Sequence, residues 1–75
     1  MIKELDLVVL VHDIPEERLA AGDMGTVVHC YPAEHYEVEF TTGDGKTVAL
    51  LHATDRDVRP LAGDELLHAR ALGPS

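Results

Sequence analysis

Between His35 and Thr41 the chain alternates strictly: Tyr36, Val38 and Phe40 are apolar, and Glu37, Glu39 and Thr41 between them are not. Side chains on a strand point to opposite faces with period two, so this segment is a strand with one dry and one wet face. Thr42-Gly43-Asp44-Gly45-Lys46 follows, and Asp-Gly suits backbone positions that need positive φ. Residues 47–52 then resume a β-type run. A hairpin with a solvated face belongs in an antiparallel sheet, because parallel strands are covered on both sides. The rest of the chain has to be built around that hairpin.

Residues 5–11 read Leu-Asp-Leu-Val-Val-Leu-Val. Leu5, Leu7, Val9 and Val11 share one face and Asp6, Val8 and Leu10 the other, which predicts a strand that is central or packed on both sides. Residues 12–25 form a polar loop. Pro15 starts a helical turn there, with Glu16 and Glu17 at its positive end and Asp13 as its cap, and Leu19 turns inward. Gly22-Asp23 is a turn signal, and Gly25 allows a bend or bulge into a second strand over residues 26–31. Residues 54–57 predict a helical turn capped by Thr54, with Asp57 completing a capping box. Residues 58–61 are short and extended, since Pro60 pushes Arg59 toward β geometry. Residues 65–72 fit either a helix capped by Asp64 or a strand with Leu67, Ala69 and Ala71 on one side. Residues 73–75 read as a disordered tail. The expected fold is all-β: one SH3-like antiparallel barrel of five to six strands over residues 1–72, with its helical turn near residues 54–57. Closure hides sheet edges that so small a domain cannot otherwise cover.

Charge narrows the functional classes. Fourteen Asp and Glu against six Lys and Arg leave a net charge of −8. Neutralising phosphates needs clustered Lys or Arg, so nucleic acid and anionic membranes are unfavoured partners. The single cysteine, Cys30, cannot close an intramolecular disulfide. Met1-Ile2-Lys3-Glu4-Leu5-Asp6 lacks the apolar core of a signal peptide, and residues 7–11 are far too short an apolar run for a membrane span. A soluble cytoplasmic protein is expected.

Several ordered motifs carry a family likeness: Lys3-Glu4-Leu5-Asp6, Asp13-Ile14-Pro15, residues 19–28 (Leu-Ala-Ala-Gly-Asp-Met-Gly-Thr-Val-Val), Tyr36-Glu37-Val38-Glu39-Phe40 and Asp57-Val58-Arg59-Pro60. From about residue 2 to 61 the chain resembles a small bacterial family known as domain of unknown function 4926. The resemblance brings no activity, cofactor or catalytic residue. It implies the small partner of a neighbouring gene's product, in a toxin-neutralising or accessory role. It also favours a strand over residues 65–72, because similar endings in some members are richer in Ile and Val. Gly22 to Val27 is also similar to the Gly-Asp-x-Gly-Thr-Val segment of KOW-type barrels, where the adjoining loop touches RNA. Here that loop holds Asp13, Glu16, Glu17 and Asp23 against Arg18 alone.

Three constellations bear on chemistry. The five histidines, His12, His29, His35, His52 and His68, raise a metal site, but none stands at His-x-His or His-x-x-x-His spacing. His29 and His52 meet only in a favourable strand register, and no metal or other cofactor is expected. His29 and Cys30, adjacent on a strand, point to opposite faces. Cys30 with any of the histidines would make a nucleophile and base, but the chain shows no oxyanion loop and a buried strand thiol is usually inert. Glu37 and Glu39 share a flat face with no cleft to exclude water, so they do not read as a glycosidase pair. The expectation is a non-enzymatic protein-binding module of antitoxin, immunity or accessory type. Asp13, Glu16, Glu17, Asp23, Glu37 and Glu39 would meet a basic partner, and residues 65–72 offer a strand for pairing with a second copy. The alternatives are a KOW-like nucleic-acid-associated barrel and a histidine-based metal-binding protein.

Overall fold

In the computed structural model, residues 1–72 are described, and the expected tail at residues 73–75 lies outside them. Five strands form one antiparallel sheet: β1 (Leu7–Leu10), β2 (Met24–Tyr31), β3 (His35–Thr41), β4 (Thr47–Thr54) and β5 (Val58–Pro60). Their order is β4-β3-β2-β1-β5. The all-β antiparallel class is therefore as expected. The sheet is not closed into a barrel: β4 and β5 end it on opposite sides and are not neighbours in it. It coils instead, so that its inner face packs on itself. Val8 and Leu10 of β1, Val27 of β2, Tyr36, Val38 and Phe40 of β3, Ala49 and Ala53 of β4 and Val58 of β5 join one buried cluster. Leu19, from the long first loop, completes it as expected.

β1 is packed on both sides, as its sequence implied: Val8, Val9 and Leu10 are all buried. It starts two residues later than its apolar run. The Asp6 carboxylate accepts the Lys3 backbone N–H at 2.9 Å, and Leu5 takes a φ of 73°. That turn ejects Leu5 from the strand.

The same double hydrogen bond recurs through the chain. At Asp6, Asp23, Asp57 and Glu65 the backbone N–H donates to the carbonyl three residues earlier, at 3.1, 3.0, 2.9 and 3.1 Å. Each carboxylate in turn accepts the N–H of that earlier residue: Lys3 at 2.9, Ala20 at 2.9, Thr54 at 2.8 and Ala62 at 2.7 Å. A charged acceptor on a backbone N–H is stronger than a neutral one. Four tight turns are thus closed by side chains that are also four of the fourteen acids of the chain.

The helical turn expected at residues 54–57 is one of these. Half of its capping box forms: Thr54 N–H donates to the Asp57 carboxylate, but Thr54 Oγ1 accepts from Arg56 N–H while Asp57 N–H donates to the Thr54 carbonyl, and no helix follows. Only three residues separate β4 from β5, which leaves no length for one. Among the described residues the one helical turn is the 3-10 turn Pro15–Glu17. Pro15 opens it as expected, but Ile14 is its N-cap, without a side-chain hydrogen bond. Asp13 accepts instead from Ala21 N–H at 2.8 Å across the loop.

Residues 65–72 form neither a helix nor a strand. Two arginine–carboxylate forks hold the region. Arg59 donates to both Glu65 oxygens, at 2.7 and 2.5 Å, and Arg70 to both Asp23 oxygens, at 2.8 and 2.6 Å. Side-chain anchors take the place of strand pairing, and Leu66 between them is 95% exposed.

Gly25 lets the β2 backbone lie close against β3. A Cβ there would stand 2.5 Å from Val38 Cγ1 and 3.1 Å from the Glu39 carbonyl oxygen. Backbone cannot retreat as a flexible side chain can. Gly25→Ala is expected to lower stability by about 1–3 kcal/mol, the usual cost of overpacking. Gly43→Ala, with nothing within 4 Å, should leave the urea midpoint nearly unchanged. Equal midpoints for the two variants would disprove the close approach.

Candidate functional site

The outer face of β2, β3 and β4 is organised by two irregularities. Along β2, Val27 pairs with Val38 but His29 pairs with Glu37, so Val28 is an extra residue. A bulge of this kind shifts side-chain parity by one. Gly25 and Val27 therefore face the core before it and Cys30 after it, which puts His29 and Tyr31 on the outside. On β4, Phe40 pairs with Ala49 and Thr41 with Thr47, leaving Val48 as the extra residue. Beyond it Ala49 and Ala53 face the core while Leu50 and His52 face out. His29, Glu37 and His52 then form one row across three strands, with Tyr31 and His35 in the next.

These side chains touch. His52 Nδ1 lies 3.1 Å from Glu37 Oε1, and His52 Nε2 lies 2.9 Å from His35 Nδ1. Tyr31 stacks on His52 with ring centroids 5.5 Å apart, and His29 meets Tyr31 edge-on at 4.5 Å. A carboxylate only accepts, so Glu37 fixes the proton on His52 Nδ1. With the His52 ring neutral, its Nε2 is a bare acceptor, and His35 Nδ1 must donate to it. His29 also lies 3.6 Å from the Glu4 carboxylate. Glu39 accepts from Thr47 Oγ1 at 2.7 Å, and Leu50, paired beside it, is 59% exposed.

The six acidic residues singled out from the sequence do not form one surface. Glu37 and Glu39 share the outer sheet face as expected. Glu16 and Glu17 sit exposed on the 3-10 turn. Asp13 closes the first loop through Ala21. Asp23 is the most committed: it accepts from Ala20 N–H and Arg70, with His68 at 3.3 Å, and its side chain is 12% exposed. The Arg70 guanidinium holds the Asp23 carboxyl below its ordinary range, against the opposing effect of burial. Sequence reasoning missed this structural use, although an acid at the fourth position of each turn was visible.

Two further contacts tie the fold together. His12 Nε2 lies 2.8 Å from Asp57 Oδ1, joining the end of β1 to the β4–β5 turn. Cys30 faces inward, half-buried, with its thiol 3.9 Å from the Ile2 carbonyl. It thus lies on the face opposite His29, as the strand reading required. A groove of roughly 670 Å³ runs between the sheet, at Leu19, Met24, Phe40 and Val48, and residues 68–72. The Arg70–Asp23 fork forms part of its wall.

The His12–Asp57 contact sets a pH window. The Asp57 hydrogen bond raises the His12 pKa above 6.5, and His12 lowers that of Asp57 below 3.8. His12 therefore stabilises the fold fully below pH 6.5, and its contribution is lost as pH rises through its folded value. Asp57 contributes fully above pH 3.8, and loses this as pH falls through its own folded value. NMR titration should show His12 protonating above pH 6.5 and returning toward that value in Asp57→Asn. An unmoved His12 titration in the variant would contradict the assignment.

Comparison with known proteins agrees with the sequence resemblance over the whole sheet. No curated protein and no solved structure matches the chain significantly. The family model described as domain of unknown function DUF4926 matches residues 4–60, from the first turn through the last strand, and the chain belongs to that family.

Proposed function

We propose that this chain is a non-enzymatic protein-binding module that docks on a basic partner through the outer face of β2, β3 and β4. One observation carries the reading. These three strands contain no Lys or Arg, and their outer face sets exposed Tyr31 and Leu50 among Glu37 and Glu39. Tyrosine is enriched at interface centres, where a ring buries large area with few rotatable bonds. Carboxylates around it steer a cationic partner and reject an anionic one. The family's typical setting, implied by the resemblance, is beside a neighbouring gene's product. A basic, nucleic-acid-directed toxin is a partner of the matching charge, and neutralising it would be an antitoxin or immunity role. Asp13 and Asp23 hold loops in this reading, so the docking charges are Glu37 and Glu39.

The test is co-expression with the neighbouring gene's product and size exclusion at micromolar concentration in low salt. Co-elution is expected. Tyr31→Ala should weaken the complex at least about tenfold, as for a buried aromatic anchor. Glu39→Gln should slow association most at low salt, and Glu16→Gln with Glu17→Gln should change little. Independent elution rejects the module, and a loss confined to the Glu16 and Glu17 variants moves docking to the first loop.

A further inference from the structure

The outer face also brings two imidazole nitrogens to one point. We propose that His35 and His52 form a binding site for a divalent transition cation of the copper type, with water completing the coordination. His35 Nδ1 and His52 Nε2 stand 2.9 Å apart. Two nitrogens each ~2.05 Å from one ion are ~2.9 Å apart at a right angle and ~3.3 Å apart at a tetrahedral angle. The observed spacing is that of the N–H···N hydrogen bond joining the rings. It equals the edge of a square-planar or tetragonal site, the geometry that Cu²⁺ and Ni²⁺ prefer, so an ion can replace the shared proton without moving the nitrogens apart. Copper also heads the affinity order for nitrogen donors among divalent first-row ions.

The surroundings prepare these atoms for a metal. Histidines that bind metals commonly donate their other ring N–H to a carboxylate, which orients the ring and makes the ligating nitrogen more basic. Glu37 stands in that position, 3.1 Å from His52 Nδ1. Tyr31 stacks on His52 and limits its tilt. The two ligands come from adjacent, hydrogen-bonded strands: His35 pairs with Thr54 and His52 with Glu37, so the imidazoles meet diagonally. The sheet therefore fixes the separation of their backbones. On binding, the His52 Nε2 lone pair turns from His35 Nδ1 toward the ion. His35 moves its Nδ1 proton to Nε2 through water, so a neutral pair releases no net proton. Among the described residues no three His, Cys, Asp or Glu side chains converge as a metal-holding group. The protein supplies two donors and leaves the remaining positions open. The site stands apart from the partner reading, since it needs no second protein.

The experiment is titration of the full chain with Cu²⁺, Ni²⁺ and Zn²⁺ in a buffer that does not coordinate metals, followed by calorimetry and by His ring NMR signals. One equivalent of Cu²⁺ should broaden the His35 and His52 rings first, and affinity should fall in the order copper, nickel, zinc. His35→Gln and His52→Gln should each weaken Cu²⁺ binding at least about tenfold, and Glu37→Gln by about tenfold through the lost orienting contact. His29→Gln and His68→Gln should leave it within about twofold, since neither ring is placed as a ligand. Urea midpoints of the His35 and His52 variants separate lost ligation from lost folding. Parallel broadening of all five rings, equal losses for the His29 and His68 variants, or unchanged binding in His35→Gln would overturn the site. Zinc binding tighter than copper would overturn its right-angle geometry.

Discussion

Halfway along β2 the side chains change sides. Gly25 and Val27 face the core before the extra residue Val28, and Cys30 faces it afterwards. Without the bulge, with Val28 paired in turn like every other residue of β2, His29 and Tyr31 would follow Gly25 and Val27 inward. An imidazole and a phenol would then compete for space with Tyr36 and Val38. With it, the first half of β2 can lie close to β3, where Gly25 leaves no room for a Cβ, while the second half delivers polar rings outward. The bulge thus separates two demands that one regular strand could not meet. The coiled core and the decorated outer face both follow from it.

The acidity of the chain has a second physical meaning once the turns are seen. Asp6, Asp23, Asp57 and Glu65 each close a turn by accepting a backbone N–H, and the Arg59 fork holds Glu65 down to a pKa of about 2. An ionised acceptor suits an orphan N–H, so a domain with little core gains order at its loops from charge. These carboxylates are held in place and cannot reorient toward a partner without opening a turn. Four of the fourteen acids are committed in this way, and Asp13 holds the first loop; the acids left to act on other molecules include Glu37 and Glu39 on the sheet and Glu16 and Glu17 on the 3-10 turn. Net charge alone overstated the binding surface, because it does not distinguish an acid that closes a turn from one that faces solvent.

What could be read from the sequence follows the same division. Strict alternation in β3, the Asp-Gly turn after it, the two-sided burial of β1 and the inward Leu19 are properties of local pattern, and each stands as expected. A bulge leaves no pattern, since one extra residue merely joins two runs of opposite parity. The His35–His52 contact depends on the β3–β4 register, which the extra Val48 resets, so no spacing in the chain announces it. Residues 65–72 were ambiguous for a physical reason. Their conformation is set by Arg59 reaching Glu65, six residues on, and Arg70 reaching Asp23, 47 residues back, contacts that neither helical nor strand periodicity encodes. Barrel closure was inferred from the need to hide edges, but coiling buries the core without joining β4 to β5.

The outer face combines properties that rarely suit a purely structural surface. Exposed Leu50 and Tyr31 gain nothing from water, and a solvated face built only for solubility would carry Lys or Glu in their place. Glu37 sits only 21% exposed beneath His52, so its charge is partly desolvated in the free protein. Burying it further against a cation costs less than desolvating a fully hydrated carboxylate. The rings of Tyr31 and His52 are already stacked, so ordering them on contact loses little side-chain entropy. Pre-ordered aromatic area beside a pre-desolvated charge is the arrangement in which association is opposed least, whether the incoming cation is a basic side chain or a metal ion.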